Sequence, residues 1–196
     1  MGGPGAVSVD ALLAKVTALS AKVPFGDPLD DRTQVGAIVS DAHLQKIDGY
    51  VQDARAAGAQ VLTGGEAFTV PGLGGQFYGP TVIAGVTPDM AIAREEVFGP
   101  VLSVLSFETE DEAIRLANNA AYGLSAGVWS RDVHTCLNFA RKVQAGTVWT
   151  NTWMDGFSEL PFGGMKESGL GREKGRYGVE SYLDYKTMYL SYEVSG

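Results

Sequence analysis

Between positions 101 and 151 the sequence alternates in kind. Residues 101–107 are apolar and β-branched, 109–118 carry helical spacing, 124–130 read as extended, 132–143 as helical, and 147–151 as extended again. That order, strand–helix–strand–helix–strand, belongs to an α/β layered domain with a mainly parallel sheet. The punctuation agrees. Thr109, Glu110, Asp111 and Glu112 form a capping box ahead of Ile114 and Ala117, and Gly146 follows the second helix. The run at 101–107 is almost wholly apolar, as expected of a buried parallel strand.

The flanking regions read less uniformly. Leu12, Val16, Leu19 and Val23 follow a helical period over 8–23, with Ser8 as cap and Pro24 as stop. Residues 25–31 make an acidic turn. Ser40 caps a second helix with Leu44, Ile47, Val51 and Ala54 on one face and Gly58 past its end. A strand at 59–63 closes on Gly64 and Gly65, a glycine-rich loop or hairpin fills 66–80, and 80–86 is another strand. Residues 152–171 have no period and are rich in Gly, Trp, Met and Phe; a long ordered loop in a compact domain is more often functional than idle. A short helix is expected over 172–181. Residues 185–194 alternate, with Met188, Leu190, Tyr192 and Val194 on one side. A terminal strand with an apolar face needs a partner, and a second subunit is one source.

Composition narrows the function classes. The 196 residues are 45% apolar and 19% charged, which excludes a disordered tail or a small disulfide scaffold. The net charge of −8 is the opposite of a nucleic-acid-binding balance. One cysteine permits no internal disulfide and points to a reducing, cytoplasmic setting. Two histidines and one cysteine build no zinc site of the common kinds. No apolar run reaches bilayer length. Residues 1–7 lack the basic and apolar regions of a secretory signal and read as a glycine-rich lead-in. Glycine, 26 of 196 residues, is about twice the usual ~7%, so many tight turns follow.

Most local candidates for chemistry have a plainer reading. No dinucleotide fingerprint is present: Lys174 stands where the third glycine after Gly169 and Gly171 belongs. Gly163, Gly164 and Lys166 do not make a Walker loop, and turn geometry explains those glycines better. Cys136 lies mid-helix, where a lone thiol is usually a small core residue, and His134 two places away points elsewhere. His43 opens a surface helix and reads as solvated. Glu95 and Glu96, ahead of Phe98, Gly99 and Pro100, are more specific, although on composition alone a solvated turn is the favoured reading.

Taken together, four stretches resemble a known family. Residues 92–100, with Glu95, Glu96, Phe98, Gly99 and Pro100, are similar to the Glu-Glu-x-Phe-Gly-Pro signature of the NAD(P)-dependent aldehyde dehydrogenases. Residues 118–128, 145–151 and 160–173 resemble further motifs of that family, in the same order. The resemblance runs from about position 26 to 192. It implies a three-layer α/β/α catalytic domain with a mainly parallel sheet and a terminal oligomerisation strand. The expected organisation is a lead-in and helix over 1–25, the C-terminal part of the catalytic domain over 26–181, and the oligomerisation strand over 182–196. The family's nucleophilic cysteine, general-base glutamate, oxyanion-holding asparagine and adenosine-side lysine have no match here. Cys136 does not match the nucleophile, so no catalytic residue is assigned.

What the resemblance implies for single residues is specific. Glu96 takes the position that holds the nicotinamide ribose hydroxyls, and Phe98 the position that packs beside that ribose; the cofactor is NAD or NADP. Trp153, Asp155, Phe157 and Phe162 are expected to line the aldehyde pocket, with core packing equally open for Phe157. Trp153 with Asp155 and Glu159 is similar to the branch handling betaine aldehyde or aminoaldehydes, since an indole face and carboxylates favour a cation; Phe162 departs from that branch's pattern. Arg172 and Asp184 look like a structural pair tying the active-site floor to the terminal strand. In the intact reaction a thiolate attacks the aldehyde, hydride passes to nicotinamide and water releases the acid. The expectation is therefore a C-terminal segment of such an enzyme, inactive alone and associating as a homo-oligomer or with an N-terminal half. The alternative is a non-catalytic structural subunit or binding module joined to a full-length or N-terminal partner.

Overall fold

Side-chain oxygens set where the longer helices begin. In the computed structural model, which describes residues 8–192, the chain forms two compact units that divide between Ala120 and Ala121. The first contains α1 (Val9–Ser20), α2 (Asp41–Ala56), β1 (Gln60–Thr63), β2 (Ala67–Phe68), β3 (Phe77–Tyr78), β4 (Thr81–Ala84), α3 (Ala91–Arg94), β5 (Val101–Ser103) and α4 (Glu110–Ala117). Ser8, Ser40 and Thr109 accept from the amides of Ala11, His43 and Glu112, giving α1, α2 and α4 the acceptors their first turns lack. Glu112 completes its box one residue further out, accepting from the Glu108 amide at 2.9 Å. Helix α1 stops at Ser20, short of Val23, because Pro24 disfavours helical backbone in the residue before it.

The core of this unit lies between α2 and the central strand. β4 pairs antiparallel with β1 and parallel with β5, and all four of its residues are buried. Ile47, Val51 and Ala54 of α2 pack with Ile83, Val86, Ile92, Tyr78 and Val97. Burying that apolar face is what holds a helix of ordinary propensity in place. Tyr78 is inside the cluster, and its hydroxyl donates to Asp48 Oδ1 at 3.0 Å. Burial first, then the Asp48 carboxylate, push its phenol far above the usual tyrosine range. The 66–80 stretch is a hairpin, β2 against β3.

The second unit contains β6 (Tyr122–Gly123), β7 (Ser125–Val128), α5 (Val133–Lys142), β8 (Thr147–Thr150), β9 (Met165–Lys166) and α6 (Gly175–Glu180). β7 and β8 are parallel and joined through α5. Asp132 caps α5 with both carboxylate oxygens, accepting from the amides of His134 and Thr135. The His134 amide, and after it the Thr135 hydroxyl, hold its carboxyl below the ordinary 3.8. β9 folds the 152–171 loop back onto β6. Gly146 makes this possible: a Cβ there would stand 1.6 Å from the Gly163 carbonyl oxygen.

Three expectations need correction. The sheets of the described residues are small and mixed: β1/β4, β2/β3 and β6/β9 are antiparallel, and only β4/β5 and β7/β8 are parallel. The apolar run at 101–107 is strand only at Val101–Ser103. It sits at a sheet edge with Leu102 46% exposed, because β5 has a single pairing neighbour. Residues 184–192 form no strand, and Tyr185, Met188, Tyr189, Leu190 and Tyr192 are exposed. A strand exists only by pairing, and among the described residues this segment has no strand partner. Val194 and the lead-in at 1–7 lie outside the described residues. Among the described residues, no helix is long and apolar enough to cross a membrane.

Candidate functional site

The loop after α3 is built around one inward side chain. Val97 is 9% exposed and joins the core, while Glu96 on one side and Phe98 on the other, itself 74% exposed, face outward. Phe98 has φ 56°, a left-handed conformation unusual for a bulky residue. That backbone costs about 1–2 kcal/mol, so contacts around it must hold it. They come from α2. His43 Nε2 lies 2.7 Å from the Phe98 carbonyl oxygen, and the two rings meet edge to face at 6.1 Å. Lys46 Nζ donates to the Glu96 carbonyl at 3.3 Å, and the Tyr50 hydroxyl donates to Glu95 Oε2 at 2.5 Å. These three lie three and four residues apart, on one helix face. Gly99 presses on the same helix: a Cβ there would meet Ile47 Cδ1 at 2.7 Å. The outcome is an exposed carboxylate beside an exposed aromatic ring on a fixed backbone. A carboxylate so placed accepts two hydroxyl hydrogen bonds at once, and the ring offers an apolar wall.

In the second unit, the predicted pocket residues follow β8 along the chain. Asn151, at φ 56°, straps the strand end to Ser130, accepting from its amide and donating to its carbonyl, each at 2.9 Å. Trp149 Nε1 donates to the Asp155 carbonyl at 2.6 Å, and Thr152 Oγ1 bonds the Asp155 carboxylate. Trp153, half exposed, lies 4.9 Å from the Trp149 ring and 6.4 Å from the Trp129 ring. The turn thus carries an indole cluster with a carboxylate held next to it. Phe157 is 73% exposed, which is not core packing. Phe162 is half-buried, pairs with Glu173 through its backbone, and carries the Lys174 ammonium 5.5 Å over its ring.

Other predicted residues have different surroundings. The Arg172 guanidinium donates to the carbonyls of Gly164 and Gly171 at 2.7 and 2.8 Å. Asp184, expected to form a structural pair with Arg172, is exposed in the terminal segment. Cys136 is 4% exposed on the inner face of α5, with its sulfur 3.8 Å from the Ser130 carbonyl. His43 is not simply solvated, because it holds Phe98. A cleft of about 500 Å³ lies along Gln45, Asp48, Gln52 and Arg55 of α2 and the turn at Gly64, and none of the predicted site residues lines it. Among the described residues, no group of three or more His, Cys, Asp or Glu is placed to hold a metal ion.

The aldehyde dehydrogenase family model matches residues 7–188. The chain belongs to the aldehyde dehydrogenase family. It is 46% identical over 181 residues to betaine aldehyde dehydrogenase of Cereibacter sphaeroides, covering 92% of this chain and 37% of that one. Among solved structures it resembles an NAD-dependent aldehyde dehydrogenase from Sinorhizobium meliloti, with TM-score 0.84, 53% identity, and coverage of 90% of this chain and 35% of the other. It also resembles betaine aldehyde dehydrogenase from Staphylococcus aureus in complex with NAD+, with TM-score 0.84, 41% identity, and 90% and 35% coverage. The chain therefore spans little more than a third of the length of these aldehyde dehydrogenases.

Sequence reasoning missed the residues that carry the two loops. His43, Lys46 and Tyr50 are legible afterwards as a polar stripe on α2, but nothing in their spacing names a partner some fifty positions away. Trp149 was read only as part of a strand, although the polar N–H of an indole calls for an acceptor.

Proposed function

We propose that this chain supplies the nicotinamide-ribose grip and one wall of the aldehyde pocket of an NAD-dependent aldehyde dehydrogenase acting on a cationic, betaine-type aldehyde. The observation that carries the reading is the loop in which buried Val97 leaves Glu96 and Phe98 facing outward on a backbone held by α2. The residues fit the cofactor's sugar: the Glu96 carboxylate accepts the two ribose hydroxyls, and the Phe98 ring covers the adjoining apolar surface. When bound, the cofactor accepts the hydride released from the substrate carbon. The names of the relatives support NAD over NADP and betaine aldehyde over an uncharged substrate. A quaternary ammonium group has no proton to donate, so it is recognised by aromatic faces and negative charge. Trp153, packed against Trp149, and the Asp155 carboxylate, held by Thr152 on the same turn, offer both.

Cys136 is not the nucleophile of this reading, since it is buried and sits on the inner face of a helix. The sequence has one cysteine, so the chain alone does not oxidise aldehyde, and the attacking thiolate comes from another segment. The row of exposed apolar side chains from Tyr182 to Tyr192 favours a second role, association with further copies or with the rest of such an enzyme. The test of the substrate class is fluorescence titration with choline. Quenching of indole emission that is lost in Trp153→Ala supports the cationic pocket, and equal quenching in both proteins contradicts it.

A further inference from the structure

We propose that His43 is a positioning residue: by holding the Phe98 carbonyl it fixes the loop that presents Glu96 to the ribose. The proposal rests on the reading of Glu96 as the ribose-binding carboxylate. Three observations carry it. First, Phe98 stands at φ 56°, so its backbone is not at rest and needs an external hold. Second, the carbonyl of that same residue receives His43 Nε2 at 2.7 Å, closer than the 3.3 Å at which Lys46 reaches the Glu96 carbonyl. Third, His43 starts from a fixed backbone. Its backbone amide is locked by the Ser40 cap at 3.2 Å, one turn above the fully buried Ile47 that meets Gly99. The ring therefore acts from a rigid base and meets the Phe98 ring edge to face. A carbonyl acceptor demands a proton on Nε2, which both the imidazolium and the Nε2-protonated neutral ring supply. Releasing this bond frees the Phe98 peptide to leave the left-handed region, and the neighbouring Glu96 carboxylate then loses its fixed direction.

Isotope-labelled chain titrated with nicotinamide mononucleotide, followed by the amide shifts of Glu96, Val97 and Phe98, tests this. His43→Phe keeps the aromatic edge and removes the donor; His43→Gln restores a donor without the ring. The expected result is binding weakened about fivefold in His43→Phe, the size of one lost hydrogen bond, and returned to near wild type in His43→Gln. The urea midpoint of both variants stays near wild type, because His43 is half-buried and its capping bond uses the backbone. Equal affinity of His43→Phe and wild type overturns the proposal alone. Weakened binding in His43→Phe accompanied by an equal loss in His43→Gln overturns it as well, since the donor is then not what matters. Absence of any nucleotide-induced shift in the wild-type chain overturns the ribose reading, and the proposal with it.

Discussion

Val97 turns inward between two outward side chains, and Gly99 follows it against Ile47. This spacing makes the loop sensitive to single atoms. Gly99→Ala forces a methyl to 2.7 Å from Ile47 Cδ1 and is expected to cost about 1–3 kcal/mol in urea unfolding, because a packed core resists added volume. Tyr78→Phe removes the buried donor to Asp48 and is expected to cost about 1.5–3 kcal/mol, the range for bonds to a charged partner. Asp132 adds a pH dependence. Its folded carboxyl titrates below 3.8, so the stability it gives is complete above that value and is lost as pH falls through it toward the folded pKa. The stability gap between wild type and Asp132→Ala, measured by unfolding at stepped pH, should be constant near neutrality and shrink below pH 3.8. A short signature singles out Glu96 and Phe98 in the sequence, and both side chains are exposed in the fold. His43 was not legible at this scale, because its partner is 55 positions away and the bond runs to a backbone oxygen that any residue could offer.

Elements were read well where local chemistry decides them. Ser8, Ser40 and Thr109 each cap the helix their position announces. Pairing was read less well, because a strand's partner is a tertiary fact. Residues 101–107 have the composition of a central strand, yet only Val101–Ser103 pairs, and with β4 alone. The terminal segment makes the same point more sharply: 185–194 alternates as a strand does, and the described part, without a partner, is not one. On the proposed reading a second polypeptide supplies that partner. Sedimentation velocity should then show association that Leu190→Lys reduces, with hydrogen exchange of residues 185–192 slowed in the associated form. A monomer at high concentration, with those amides unprotected, runs against it.

For the whole molecule, the two loops lie in separate compact units, Glu96 in the first and Trp153 in the second. The chain matches its aldehyde dehydrogenase relatives over about a third of their length. On the proposed reading it brings binding surfaces and leaves the covalent chemistry to another segment. Formation of NADH from NAD+ and betaine aldehyde should be absent with the purified chain. It should arise when the chain is assembled with the coenzyme-binding and nucleophile-bearing portion of a relative, and fall sharply in that assembly on Glu96→Ala. Turnover by the isolated chain that vanishes in Cys136→Ala would contradict that division of labour.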